Sequence, residues 1–182
     1  MKQWQTLQRV QILNHSKFLQ VEAHTVALPN GAIIADWPWL ITPDFVNIVA
    51  CTPDQRILCF RQTKYAASRV ALAPVGGYLE PGEDALTAGQ RELLEETGYT
   101  ASEWLDLGRY AVDGNRGAGT AYLYLARNAQ PVARPTADDL EEQELLLLTP
   151  ADIRAALAAG EVQILPWAAA FGLALLYLAD AP

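Results

Sequence analysis

Residues Gly77 to Tyr99 read GYLEPGEDALTAGQRELLEETGY. Its acids are not scattered: Glu92, Glu95 and Glu96 stand at relative positions 0, 3 and 4. Residues three and four apart are neighbours on one face of an α-helix. Like charges at that spacing repel and weaken the helix. A chain that keeps three there is expected to neutralise them with a cation. Ligands that are all oxygen select hard ions such as Mg²⁺ or Mn²⁺.

The flanks agree with that reading. Gly76 and Gly77 let backbone approach a metal or phosphate closely. Pro81-Gly82 marks a turn. Glu83 and Asp84 sit where the helix should begin, and acids are favoured at that end of the macrodipole. Leu86, Gln90, Leu93 and Thr97 form an uncharged face that could lie on a sheet. Gly98 follows the last turn as a helix-ending glycine. Arg91 is the one base among these acids and can bridge carboxylates. A solvated acidic helix is the plain alternative. It accounts for neither the glycines nor the arginine.

Taken together, the pattern resembles the signature of the Nudix hydrolases. It reads Gly77, five residues, Glu83, seven residues, then Arg91-Glu92-Leu93-Leu94-Glu95-Glu96-Thr97-Gly98-Tyr99. Only the closing position departs, being Tyr99 where the family usually has an aliphatic residue. The resemblance implies an α+β fold, the Nudix-type α/β/α sandwich with a mixed sheet. It implies metal-dependent hydrolysis of a nucleoside diphosphate linked to another moiety, with Mg²⁺ or Mn²⁺ as cofactor. Glu92 and Glu96 are then the firmest metal ligands, the Gly76 carbonyl a third, and Glu95 a further ligand or a bridge through water. Glu83 and Arg91 orient the others. A general base is expected downstream, where Asp138-Asp139-Leu140-Glu141-Glu142-Gln143-Glu144 precedes a strand. Glu142 is the first choice and Glu141 the second.

Outside the signature, the chain resembles the ADP-ribose pyrophosphatase branch. Arg61-Gln62-Thr63-Lys64-Tyr65 stands ahead of the signature, and Pro74-Val75-Gly76-Gly77 leads into it. In that branch an amino-terminal hairpin contributes to a domain-swapped dimer, and one of its aromatic residues stacks on adenine. Trp37 fits that role, with Trp39 second. Arg61, Lys64 and Arg116 are the bases expected near phosphate. The loop Asp113-Gly114-Asn115-Arg116-Gly117 lacks the proline usual in that branch, which leaves another sugar nucleotide open as substrate. Dinucleoside polyphosphates or nucleoside triphosphates are alternatives, as is a binding module without catalysis. A binding module would usually have lost signature glutamates.

The whole chain sets the bounds. It has 182 residues, 51% hydrophobic, with a net charge of −8. That length suggests one domain with a small appendage. The charge and the absence of basic runs argue against a nucleic-acid surface. Cys51 and Cys59 read as small core residues on neighbouring strands. The amino terminus MKQWQTLQRV has no apolar signal core. The apolar segment 164–179 is short for a membrane span and contains Pro166. No membrane partner is expected, and the expected compartment is the cytoplasm.

In order, residues 1–42 are expected to form a small β subdomain, with Pro29-Asn30-Gly31 as a turn. Residues 43–182 are expected to carry the hydrolase fold. Within them, Phe45–Thr52, Arg56–Gln62, Tyr78–Glu80, Trp104–Tyr110, Thr120–Arg127 and Leu145–Leu148 read as strands. Residues 113–119 read as a flexible loop. Helices are expected from Asp84, from Pro150 behind a Thr149 cap, and from Pro166. The last is apolar nearly all round.

Overall fold

The computed structural model describes residues 1–136 and 142–178. In chain order the strands are β1 (Gln5–Ser16), β2 (Leu19–Ala27), β3 (Ile33–Ile41), β4 (Phe45–Cys51), β5 (Ile57–Gln62) and β6 (Ala71–Ala73). After helix α1 (Ala85–Thr97) come β7 (Tyr99–Thr100), β8 (Glu103–Asp113), β9 (Gly117–Arg127), β10 (Gln130–Pro131) and β11 (Gln143–Leu148). Helices α2 (Pro150–Ala158) and α3 (Leu165–Leu178) follow. Two compact units result. One is Met1–Asp44 with Tyr110–Thr120; the other is Phe45–Arg109 with Ala121–Pro182.

The first unit is an antiparallel meander, β1-β2-β3, not a single hairpin. Its register sets Thr6 opposite Val26, His24 opposite Trp37 and Glu22 opposite Trp39. Opposed residues share a face of a sheet, so these side chains form one surface. The β8–β9 tip completes the unit. Residues 113–117, read from sequence as a flexible loop, form a closed turn. The Asp113 carboxylate accepts from the amides of Asn115 and Arg116 at 2.8 and 2.9 Å. Trp37 Nε1 donates to the Asn115 carbonyl at 2.7 Å.

The second unit holds the mixed sheet. β4 runs parallel to β9 from Phe45↔Ala121 to Cys51↔Arg127, and β5 pairs antiparallel with β11. β4 meets β5 only at Cys51↔Ile57. Beyond that point the two strands splay, and the chain 71–78 fills the gap. Ala73 pairs with Phe60 of β5, while Val75 bridges Ile48 of β4. Tyr78–Glu80 is therefore not a strand: Tyr78 makes one bridge, to Phe45, and the chain then turns into the helix. Helices α1 and α3 both pack on β4, giving the α+β sandwich. The core runs through Ile48, Leu58, Leu123, Leu125, Ile153 and Phe171, all essentially inaccessible. Cys51 and Cys59 are buried in it as free thiols, and burial pushes Cys59 up to about 12.

Local chemistry fixes α1 at both ends. The Asp84 carboxylate caps it, accepting from the amides of Leu86 and Thr87 at 3.1 Å each. Gly98 ends it at φ 73°, which a glycine adopts freely. The packing face differs from the sequence expectation. Leu86 and Gln90 point outward; Ala88, Gly89, Leu93 and Thr97 are buried. Gly89 lies against the Trp104 ring and Ile48, and larger side chains would hold the helix off the sheet. That rotation puts Glu92 and Glu96 at the margin of the buried face, and Glu95 outside it.

Candidate active site

Arg91 is the hub of the acidic helix. Its Nε and Nη2 donate to the two oxygens of Glu83 at 2.9 Å each, a fork-to-fork pair. Its Nη1 donates to Glu92 Oε1 at 2.8 Å and Glu95 Oε2 at 3.1 Å. The Tyr78 carbonyl also accepts from Nη2, at 3.2 Å. The cluster therefore ties the turn before α1 to its third turn. Glu83 and Glu92 side chains are 11% and 13% exposed, against 47% for Glu95. Glu95 is thus the carboxylate most open to water.

Glu92 and Glu96 converge on the Gly76–Gly77 backbone. Val75 and Gly77 turn their carbonyls to β4, accepting from Ile48 N at 2.8 Å and Val46 N at 2.9 Å. Successive peptides of an extended chain face opposite ways. Gly76 between them therefore faces away from β4, and its amide donates to Glu96 Oε2 at 3.1 Å. On the other side, a Cβ at Gly77 would collide with the Glu92 carboxylate. Asn47, 4% exposed, packs on Gly76, and among the described residues its buried Oδ1 has no partner.

Among the described residues, no three acidic, histidine or cysteine side chains close on one point. Arg91 lies among Glu83, Glu92 and Glu95 instead. The donor set nevertheless fits a hard divalent ion. Two carboxylates meet a glycine pair with no side chain in the way. The Gly76 peptide faces Glu96, whose carboxylate accepts its amide. All these donors are oxygen.

The Glu83–Arg91 pair has a consequence for acid stability. The Arg91 hydrogen bonds and the Glu80 amide hold the Glu83 carboxyl below the ordinary glutamate range. Folding thus favours its charged form. The contribution is complete above the unfolded pKa and is lost as pH falls through the lower, folded value. Glu83→Gln is expected to lower stability by about 1–2 kcal/mol at pH 7. The deficit should shrink steadily in melting curves recorded from pH 5 down to pH 3. A pH-independent deficit would contradict this.

The other residues singled out from sequence lie in separate places. Arg61 opposes Glu144 across β5 and β11 and pairs with its carboxylate at 3.1 Å. Both line a cavity of about 500 Å³ with Glu142. Glu141 lies outside the described residues. Lys64 opens a turn closed by the Ala67 amide on its carbonyl at 2.8 Å. Arg116, in the first unit, pairs with Asp113 at 3.1 Å.

Trp37 lines a second cavity, about 490 Å³, built wholly from the first unit. Trp4, Trp39 and His24 share its wall. Trp4 meets Trp37 edge to face at 5.1 Å, while Trp39 is wedged against Gly117 and stacks on His24 at 5.3 Å. Sequence reasoning passed over His24, Glu22 and Trp4. The period-two run Glu22, His24, Val26 was the available signal for a shared face.

A NUDIX domain model matches residues 42–168, and the chain belongs to the Nudix hydrolase family. The family uses divalent metal ions. Three relatives of known activity are similar to parts of it. An ADP-ribose pyrophosphatase of Bacillus subtilis (strain 168) is 32% identical over 54% of this chain and 52% of its own. A CMP-5'-(N-acetyl-N-hydroxy-3-aminopropyl)phosphonate hydrolase of Streptomyces rubellomurinus is 28% identical over 69% of this chain and 60% of its own. A methanol dehydrogenase activator of Bacillus methanolicus is 26% identical over 78% of this chain and 74% of its own. The match thus spans about half to three quarters of each relative. The crystal structure of an ADP compounds hydrolase superposes with a TM-score of 0.81 at 19% identity, covering 98% of this chain and 96% of that one. At that identity the likeness speaks for the fold.

Proposed function

We propose that the protein hydrolyses the pyrophosphate of a nucleoside diphosphate linked to a sugar, with ADP-ribose cleaved to AMP and ribose 5-phosphate. One observation carries this: Glu92 and Glu96 converge on the Gly76–Gly77 dipeptide. Glu92, Glu96 and the Gly76 carbonyl would hold Mg²⁺ or Mn²⁺, with Glu95 as an outer ligand. Bound there, the ion neutralises charge on the phosphates and lowers the pKa of a bound water. Arg91 keeps the carboxylates in register and shares their charge. Glu142 is assigned as general base, taking the proton of the attacking water. Arg61 and Lys64 are assigned to phosphate and would turn from their resting contacts to do so. Trp37 is assigned to the base. It is an aromatic wall of a cavity whose size suits a nucleoside.

A substrate screen with Mg²⁺ tests the reading. ADP-ribose should release AMP. The CMP-linked hydrolase among the relatives favours one second reading, a cytidine nucleotide with a different leaving group, and CMP-linked compounds belong in the screen. No turnover of any nucleotide-linked compound would remove the hydrolase assignment.

The protein is further proposed to act as a cytoplasmic homodimer. No described helix is long and apolar enough to cross a membrane. Among the described residues β1 pairs only with β2, and Leu7, Val10 and Ile12 on it are each more than half exposed. An open apolar edge strand of 12 residues invites a second chain. Sedimentation at micromolar concentration should show a dimer. A monomer alone, with Leu7→Lys/Ile12→Lys unchanged in behaviour, would contradict it.

A further inference from the structure

A base stacked on Trp37 still needs a partner at its edge. Among the described residues the cavity lining has no lysine, arginine, aspartate or glutamate. A phosphate meets no charged side chain there, whereas an uncharged planar ring meets three tryptophans. His24 lines this cavity yet is only 4% exposed. One face of its ring is stacked on Trp39, the planes 17° apart. Its Nε2 lies 2.7 Å from Glu22 Oε2. A carboxylate only accepts, so the ring presents its Nε2 hydrogen to Glu22. In the neutral imidazole that leaves Nδ1 as a lone-pair acceptor. Among the described residues Nδ1 has no partner, although the ring is held on two sides. A buried histidine with one nitrogen clamped and the other free beside a cavity is preorganised for a ligand donor.

We propose that His24, clamped by Glu22, reads the edge of the nucleobase. Its Nδ1 accepts a hydrogen bond from an amino group or ring N–H of the base that stacks on Trp37. The cavity thereby selects a base with such a donor over a bare aromatic ring. His24 is in this sense a specificity-determining residue, and the assignment rests on the nucleotide reading of the cavity.

Binding can be followed by tryptophan fluorescence, because Trp4, Trp37 and Trp39 line the cavity. The titrations use the full chain in EDTA, with AMP and with purine ribonucleoside 5′-monophosphate, whose base carries neither amino group nor N–H. The native protein should bind AMP about 10-fold more tightly, the worth of one hydrogen bond. His24→Phe keeps the stack on Trp39 and should erase the difference. Equal binding of the two nucleotides by the native protein overturns the assignment, whatever the variant does. So does a folded His24→Phe that keeps the preference. Turnover of ADP-ribose by the native protein separates the two readings. Turnover with no preference between the nucleotides sinks the role of His24 and leaves the hydrolase. Absence of both turnover and quenching removes both.

Discussion

Glu96→Gln is expected to reduce ADP-ribose turnover by on the order of 10²–10³-fold, the scale on which one electrostatic group at a reacting centre acts. The melting temperature should barely move. The substitution keeps shape, and the glutamine carbonyl oxygen can still accept the Gly76 amide that Glu96 Oε2 accepts now at 3.1 Å. What disappears is the charge. If that charge exists to hold a divalent ion, affinity for Mn²⁺ measured by calorimetry should fall with turnover. Glu95→Gln provides the contrast. Glu95 is 47% exposed and tied to Arg91 from outside, so its loss should reduce turnover only about 10-fold, as outer positions around a metal do. A Glu96→Gln enzyme with native turnover, or with native Mn²⁺ affinity, would end the metal reading of this helix.

The legible parts of the molecule are those set by short-range chemistry. The limits of α1 follow from an aspartate that caps amides two and three residues on and a glycine that can take φ 73°. The Thr149 cap of α2 is read the same way, closing on the Asp152 amide at 3.1 Å. The carboxylate spacing and the lone arginine predict a network, and Arg91 builds one. The face of α1 was harder, because it turns on what the helix meets. Leu86 and Gln90 looked suited to a sheet, but Trp104 and Ile48 come close at Gly89, which is buried with Ala88, Leu93 and Thr97. Tyr78–Glu80 has the composition of a strand, but its pairing stops at the single bridge from Tyr78 to Phe45. The 113–117 turn hides its rigidity in one carboxylate that reaches backbone two and three residues away. His24 and Glu22 became a pair of interest only once β3 brought Trp37 and Trp39 alongside. Cross-strand partners are a property of register, and one strand's sequence does not contain its neighbour's.

Gly76→Ala and Gly77→Ala are expected to fail in opposite ways, although the residues are adjacent. Neither glycine has a positive φ, so the added methyl acts by collision and not by backbone strain. At Gly76 the methyl would run into the Val46 carbonyl oxygen and come within 3.1 Å of Asn47 Cα. Both are backbone atoms of a buried strand. They cannot retreat without opening the bonds from Ile48 N to the Val75 carbonyl at 2.8 Å and from Val46 N to the Gly77 carbonyl at 2.9 Å. Overpacking of that kind costs about 1–3 kcal/mol, and a clash with backbone that cannot swing aside puts Gly76→Ala at the upper end. The melting temperature should drop by about 5–10 °C. At Gly77 the three atoms nearest the methyl all belong to the Glu92 carboxylate, the far end of a flexible side chain. Glu92 can swing aside, and Arg91 keeps its two bonds to Glu83. Stability should change by only about 1 kcal/mol, the worth of the Arg91–Glu92 bond, while turnover falls about 10²-fold as a displaced ligand requires. Calorimetry and rate measurements on both variants give a crossed pattern, heat-sensitive at one position and inactive at the other. If Gly77→Ala kept full turnover, Glu92 would be free to leave its place beside the dipeptide without consequence, and Glu96 alone would remain of the pair assigned to the ion.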